Sequence, residues 1–276
     1  MVDTTRLRDV VYGAAVGDAL GVPFEFRDRD TFTCEGMTDG GAHDVPKGTF
    51  SDDTSLLIAT CDSIRASGGR VVVEDMRKRF RNWLFHGSYT VDGYVFDVGN
   101  ATAEALNQGY GADHEYSNGN GSLMRIAPLA FTDATDEAIR SVSAITHAHL
   151  ISTTACVIFV HIMRDVLAGK ELADSIESAV PDGDRFSFLR ALDRLERDQV
   201  PSHGFVLDTL KASLWCALTT STYVECVTTA VELGYDTDTT ACVAGALAAA
   251  MYGFDAIPAE WVETLRGRDV IERCLF

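Results

Sequence analysis

Apolar residues recur at spacings of three and four along most of this chain, the period of a helix with one buried face. The first predicted helix covers residues 4–20, where Asp3 or Thr4 can act as the N-cap. Its apolar positions are Leu7, Val10, Val11, Ala14 and Ala15. The same period predicts further helices over residues 53–67, 73–86, 98–108, 123–130, 135–146, 151–169, 171–180, 186–197, 205–219, 222–233, 239–252 and 258–266. Strand-like alternation is almost absent, so the pattern predicts an all-α protein.

The breaks between predicted helices are short stretches rich in glycine, aspartate, asparagine or proline, which are typical of loops. No repeat or low-complexity linker divides the 276 residues. We therefore expect a single compact multi-helix domain over residues 1–276. The segment from Phe26 to Ser51 is longer than most loops inside a compact domain, and long irregular loops of this kind are often functional.

The formal net charge is −18, from 41 acidic and 23 basic residues. Such a surface repels phosphate backbones and acidic lipids, so we expect neither a nucleic-acid nor a membrane partner. The 7 cysteines are scattered without paired spacing, which argues against a disulfide framework or a zinc site. The apolar runs are shorter than the ~20 residues needed to span a bilayer. We therefore expect a cytoplasmic protein, and a monomer.

Acids and hydroxyls crowd the start of one predicted helix, in Ser51, Asp52, Asp53 and Thr54. Serine and aspartate are preferred N-caps, and acids in the first turn favour the helix dipole. Capping explains one or two of these four residues and leaves the others for another role.

A second segment, from Asp236 to Thr239, has the same design and also precedes a predicted helix. Capping is again the structural alternative. If the two segments meet in the fold, their carboxylates and hydroxyls form a site for one or two divalent cations. Hard oxygen ligands favour magnesium or calcium over zinc or copper.

Three weaker signals accompany these segments. Residues 117–125 combine glycines with asparagine and serine before a predicted helix, a composition typical of a phosphate cradle or of an ordinary turn. Asp18 interrupts an apolar face, either as a functional acid or as a solvated or capping one. His147 and His149 stand at i and i+2, so they do not share a helix face and make a poor metal pair.

Taken in order, these segments resemble the ADP-ribosylglycohydrolase family, over roughly residues 6 to 253. The matching positions are Gly17, Asp18 and Glu25; Ser51 to Thr54; Gly119 to Arg125; Thr146 and His147; and Asp236 to Thr239. Two positions depart from the family pattern. Ser51 replaces a more frequent threonine and keeps the hydroxyl, while Tyr235 replaces a common glycine, which we expect to alter the cleft wall.

The resemblance implies a compact all-α fold with a di-metal cleft that holds two Mg²⁺, with Mn²⁺ as the alternative. It implies that the metal ligands are Ser51, Asp52, Asp53, Asp236, Asp238 and Thr239. The substrate-binding residues that it implies are Asp18, Ser117, Asn120, Gly121, Ser122 and His147. The catalytic residues that it implies are Glu25, Asp52, Asp53 and Asp97.

By the same resemblance the activity is hydrolysis of the bond between ADP-ribose and a modified acceptor, on a protein or a small molecule. Residues 96–100 resemble a stretch of the arginine-specific members, which favours ADP-ribosyl-arginine, with Asp97 facing the guanidinium. Asp97 as a simple cap of the following helix is the alternative. Rival functions are hydrolysis of serine-linked or O-acetyl-ADP-ribose, a non-catalytic ADP-ribose-binding relative, and a two-metal phosphoesterase.

Overall fold

The computed structural model describes residues 4–183 and 185–276, and these residues form an all-α fold, as the periodicity predicts. The α-helices are α1 Leu7–Gly21, α2 Asp52–Ala66, α3 Val73–His86, α4 Asn100–Gln108, α5 Asp136–Ser143, α6 Leu150–Leu167, α7 Leu172–Ala179, α8 Val206–Thr219, α9 Tyr223–Glu232, α10 Thr237–Tyr252, α11 Ala259–Thr264 and α12 Arg268–Cys274. Short 3₁₀ helices cover Val22–Phe24, Ala127–Phe131, Ser187–Arg194, Arg197–Gln199 and Phe254–Ala256. Within the described ranges there are isolated β-bridges but no sheet.

Helices α1 and α10 pack together at the centre because glycines on α1 face the backbone of α10. A Cβ at Gly17 would lie 2.1 Å from the carbonyl oxygen of Ala241, and one at Gly21 would lie 2.3 Å from the Cα of Asp238. Both helices are buried along nearly their whole length. This contact places the end of α1 beside the start of α10, although the two are more than 200 residues apart in the sequence.

One cluster of buried apolar side chains extends from Leu7 in α1 to Cys274 in α12. Because a shared core is what defines a domain, we propose that residues 1–276 form one domain. Helix α6 is long and apolar enough to cross a membrane by length and composition alone. However, 72% of it is buried inside the fold, as in a core helix.

Two predicted helices are wrong. Residues 123–130 form turns followed by a 3₁₀ helix, because Pro128 lacks the N–H that an α-helix needs and disfavours helical dihedrals at the residue before it. Residues 186–197 form two 3₁₀ helices, the first with a kink at Ala191. Leu189 and Leu192 are buried there at a spacing of three, which suits a helix with three residues per turn.

The ends of the chain also differ from the prediction. Helix α1 begins after Arg6, which makes no side-chain capping bond, and Thr4 contributes only its carbonyl oxygen, to the N–H of Leu7. Asp3, the other predicted cap, lies outside the described residues. Helix α12 was not predicted, since its seven residues span barely two turns.

Candidate active site

A cleft of about 610 Å³ opens at the N-terminal ends of α2 and α10. Among the described residues that line it there is no lysine or arginine. The acids that line it are Glu25, Asp52, Asp97, Glu104 and Asp236. The cleft is therefore a negative surface that attracts cations and disfavours free anions.

The N-terminus of α2 is held by the buried carboxylate of Asp18. This carboxylate accepts hydrogen bonds from the N–H of Ser51 at 2.9 Å, the N–H of Thr54 at 3.0 Å and the hydroxyl of Thr54 at 2.5 Å. Burial raises the pKa of Asp18 to about 6. The resemblance implied that Asp18 binds substrate, but the structure gives its carboxylate protein partners and places it outside the cleft lining. Asp18 is a support for the helix that carries the neighbouring acids.

The N-terminus of α10 meets that of α2 through side-chain hydrogen bonds. The hydroxyl of Thr239 donates to Asp53 Oδ2 at 3.2 Å, and the hydroxyl of Ser51 donates to the same oxygen at 3.1 Å. Asp238 Oδ1 accepts from the N–H of Thr239 at 2.9 Å. The structure thus brings together the two segments that carry the expected metal ligands, Ser51, Asp52, Asp53, Asp236, Asp238 and Thr239.

Two oxygens of this cluster are buried without any hydrogen-bond partner, Asp53 Oδ1 and Asp238 Oδ2. Burial, followed by the charges of neighbouring carboxylates, raises the pKa of both groups well above the usual range for aspartate. Carboxylate oxygens of Asp52, Asp53 and Asp97 also lie within 4.8 Å of one another. Unpaired buried carboxylates are costly unless a cation neutralises them, so the residues present fit a divalent metal with hard oxygen ligands.

The loop over residues 117–122 forms another wall of the cleft. The side-chain nitrogen of Asn120 donates to Asp236 Oδ2 at 2.7 Å and to the hydroxyl of Thr209 at 2.8 Å. Ser117, Asn120 and Gly121 line the cleft. The side chain of Ser122 instead faces the interior, where it accepts from the hydroxyl of Ser143 at 2.9 Å. Of the residues expected to bind substrate in this loop, Ser122 is the one that does not line the cleft.

His147 lines the same cleft as a neutral imidazole. Burial, with a smaller effect from the nearby Arg125 guanidinium, lowers the pKa of His147 to about 3. The hydroxyl of Thr146 accepts from Arg125 at 2.8 Å, so its own proton is free to donate to His147 Nδ1, also at 2.8 Å. The imidazole proton is then assigned to Nε2. A Cβ at Gly121 would lie 3.0 Å from the imidazole ring, which explains a glycine at this position. His147 therefore presents a hydrogen-bond donor to a ligand.

Glu25, His43 and Asp97 form a second cluster beside the metal ligands. His43 Nε2 lies 2.5 Å from Glu25 Oε2 and 3.7 Å from Asp97 Oδ1. Burial raises the pKa of Glu25 to about 7, and the hydrogen bond to Glu25 raises the pKa of His43. Sequence reasoning missed His43. Its one signal was its place in the long loop between Phe26 and Ser51.

Asp97 does not cap the helix that follows it. Helix α4 begins after Gly99, and no side-chain capping bond is made at its N-terminus. Asp97 instead lines the cleft, with its backbone in the left-handed region at a φ of 53°. A non-glycine residue in this region costs free energy, so the surrounding structure holds Asp97 in place.

The family model for ADP-ribosylglycohydrolase matches residues 2–275 of this chain. The chain belongs to this family. The ADP-ribosylarginine hydrolase Tri1 of Pseudomonas putida (strain GB-1) is 31% identical to it, over 97% of this chain and 76% of that protein. The ADP-ribosyl-dinitrogen reductase glycohydrolase of Rhodospirillum rubrum is 29% identical, over 92% of this chain and 87% of that protein.

A solved structure of an ADP-ribosylglycohydrolase-related protein complex superimposes with a TM-score of 0.81 at 29% identity. The match covers 98% of this chain and 95% of that one. These similarities confirm the family resemblance and the all-α fold that the sequence indicates. Membership of the family makes the chain a hydrolase, a glycosidase that acts on ADP-ribose conjugates.

Proposed function

We propose that this protein is a metal-dependent hydrolase that cleaves the N-glycosidic bond between ADP-ribose and arginine side chains of proteins. The observation that carries the proposal is the meeting of two helix N-termini around buried, unpaired carboxylate oxygens, Asp53 Oδ1 and Asp238 Oδ2. Relatives named ADP-ribosylarginine hydrolase, at 30% and 31% identity, support arginine as the acceptor.

The proposed metal ligands are Ser51, Asp52, Asp53, Asp236, Asp238 and Thr239, and the proposed ions are two Mg²⁺, with Mn²⁺ as the alternative. When bound, such ions orient the ribose hydroxyls and lower the pKa of a coordinated water. Neutralisation of the buried carboxylates would also make the cleft less repulsive to a pyrophosphate, whose charge meets no lysine or arginine among the described lining residues.

The protein itself holds the diphosphate and ribose with neutral donors. The side chain of Ser117 and the backbone of Gly121 lie on the cleft surface, and Asn120, whose side-chain nitrogen donates to Asp236 and Thr209, keeps its amide oxygen for a ribose hydroxyl. The Nε2–H of His147 adds a donor that keeps its proton and its neutrality throughout the physiological pH range. Fixed neutral donors suit a phosphate ester group when acids surround it.

In the proposed reaction, a water oxygen attacks C1'' of the ribose while the bond to the acceptor nitrogen breaks. A carboxylate of Asp53, with Asp52 beside it, accepts a proton of the water, and one proton is passed on to the departing guanidine nitrogen, so that arginine leaves protonated and Asp53 returns to its ionised form. Positive charge develops on the sugar in the oxocarbenium-like transition state. The acids of the cleft stabilise this charge, because the fold holds them in fixed positions before the charge develops.

The acceptor side of the cleft is assigned to Glu25 and Asp97. Both carboxylates line the cleft beside Asp52 and are bridged by His43. A guanidinium is a planar cation that pairs well with carboxylates, whereas the serine oxygen of an O-linked substrate carries no charge. This difference favours an arginine-linked substrate over serine-linked or O-acetyl-ADP-ribose.

The test is a substrate panel with a matched pair of variants. Arginine-linked protein, serine-linked protein and O-acetyl-ADP-ribose are each incubated with enzyme and Mg²⁺, and the products are separated by chromatography. We expect intact ADP-ribose mainly from the arginine-linked protein, and a loss of about 10-fold or more in kcat/KM for Asp97→Asn. Asp92→Asn, on an exposed acid paired with Arg266, is the control. Faster release from an O-linked substrate, or formation of AMP, would overturn the assignment.

A further inference from the structure

The long loop between the first two helices places one imidazole against two acids that line the cleft. His43 is half-buried, and its Nε2 lies between Glu25 Oε2 and Asp97 Oδ1, at 2.5 and 3.7 Å. The three residues come from three separate segments of the chain. One nitrogen atom therefore links two acids that no secondary-structure element holds together.

The ring of His43 lies between two aromatic side chains. Its centroid is 6.0 Å from that of Phe26 and 5.0 Å from that of Phe96. Phe26 follows Glu25 and Phe96 precedes Asp97, so each ring that contacts the imidazole is adjacent in sequence to an acid that the imidazole also contacts.

The backbone is in the left-handed region at Asp97 and at Phe26, the residue after Glu25. Phe26 has a φ of 65° and Asp97 a φ of 53°, and neither residue is a glycine. The N–H of Phe26 donates to the carbonyl of Tyr235 at 2.7 Å, which ties this segment to the residue before Asp236. Asp97 lies outside the following helix, since α4 begins only after Gly99. Such conformations persist at functional sites when surrounding contacts fix them.

We propose that His43 is a positioning residue that fixes the carboxylates of Glu25 and Asp97 for recognition of the cationic acceptor. This inference rests on the proposed function, since it concerns the acceptor side of the same cleft. The Nε2–H of His43 donates to Glu25 and stands near Asp97, so that the two acids keep a fixed separation. A guanidinium in the cleft then meets two oriented carboxylates rather than two mobile ones.

The contact of His43 with two aromatic rings also allows a simpler role in packing. The two roles make opposite predictions for two substitutions. His43→Phe keeps an aromatic ring between Phe26 and Phe96 but removes the N–H, while His43→Gln keeps an N–H donor at a similar reach and removes the ring.

The experiment measures kcat and KM for release of ADP-ribose from an arginine-ADP-ribosylated protein, and Kd for free ADP-ribose by calorimetry, all in Mg²⁺. For His43→Phe we expect kcat/KM to fall about 10- to 100-fold, since a misplaced catalytic or binding group costs this much. The Kd for ADP-ribose, which has no acceptor, should stay within about twofold of the wild type. His43→Gln should recover most of the lost kcat/KM.

His161→Phe is the matched control, because His161 makes a similar bond to Asp136, at 2.7 Å, on an exposed surface. It should leave kcat/KM and Kd unchanged. A folded His43→Phe with full activity, or a His43→Gln that is less active than His43→Phe, would overturn the positioning role. If the wild type itself fails to release ADP-ribose from arginine, the proposed function fails instead, and the two failures are thus distinguishable.

Discussion

The hydroxyl of Thr239 donates a hydrogen bond to Asp53 Oδ2 at 3.2 Å, across 186 positions of sequence. This bond joins the first turn of α10 to the first turn of α2. The positive ends of two helix dipoles therefore point at one group of carboxylates, which lowers the cost of holding them together. Asp53 Oδ1 and Asp238 Oδ2 still lack hydrogen-bond partners, so their ionised forms lower the stability of the fold unless a cation neutralises them.

Mg²⁺ should stabilise the folded protein, and Asp238→Asn should abolish that effect. A cation that binds only the native state adds about 2.7 kcal/mol to the free energy of unfolding at 100 times its Kd. In EDTA above neutral pH, Asp238→Asn should be more stable than the wild type. The pKa of Asp238 is raised in the fold, so its ionised form costs free energy that increases as pH rises through that pKa.

Urea denaturation at pH 7.5, in EDTA and in excess Mg²⁺, measures both effects. Asp136→Asn serves as the control, because Asp136 is an exposed acid whose ion pair is with His161 and not with a residue of the buried cluster. An equal response to Mg²⁺ in wild type and Asp238→Asn would show that the buried cluster is not the metal site.

Gly17→Ala should destabilise the protein through the contact between α1 and α10. The added Cβ would lie 2.1 Å from the carbonyl oxygen of Ala241, so the helices must separate. Overpacking of this kind costs about 1–3 kcal/mol and sometimes more. Gly99→Ala is the control for stability, because its Cβ would lie 3.9 Å from the nearest atom at a φ of −58°. Equal urea midpoints for the two variants would contradict the packing account.

His147 should make the protein sensitive to mild acid. In the unfolded chain this histidine binds a proton near pH 6.5, whereas in the fold its pKa is lowered to about 3. Stability is therefore lost as pH falls below about 6.5, by about 2 kcal/mol between pH 7 and pH 5. The variant His147→Asn has no imidazole at this position, so it should not lose this stability as the pH falls.

The measurement is the difference in free energy of unfolding between wild type and His147→Asn, in EDTA, as a function of pH. We expect that difference to fall by about 2 kcal/mol from pH 7 to pH 5. The same comparison with Gln108→Asn, which removes no ionisable group, should be flat by contrast. A constant difference for His147→Asn would mean that the imidazole takes up its proton in the folded state.

Much of the helical architecture could be predicted because helical periodicity is a local property of the sequence. The helix predictions that were wrong concern segments in which two local sequence signals favour different structures. Pro128 interrupts an apolar pattern that otherwise suits an α-helix, and the pair Leu189 and Leu192 fits either a 3₁₀ or an α-helical turn. Helix α12 is too short for its period to be recognised.

The residues of the acid cluster could be predicted where they are adjacent, or nearly adjacent, in the sequence. Two pairs of acids at predicted helix starts can be recognised in the sequence, Asp52 with Asp53 and Asp236 with Asp238. His43 could not be found in this way, because its bond to Glu25 depends on how a loop without a repeating pattern folds. Asp18 was recognised as unusual, but its partners, Ser51 and Thr54, are 33 and 36 positions away and are fixed only by the tertiary structure.

Metal-dependent cleavage of the arginine linkage is measured as release of free ADP-ribose from an arginine-ADP-ribosylated protein, with Mg²⁺, with EDTA, and with Asp238→Asn in Mg²⁺. We expect release that requires Mg²⁺ and that Asp238→Asn lowers by about 100-fold or more, while the variant stays folded. Undiminished release in EDTA, or an Asp238→Asn enzyme as active as the wild type, would contradict the proposed function.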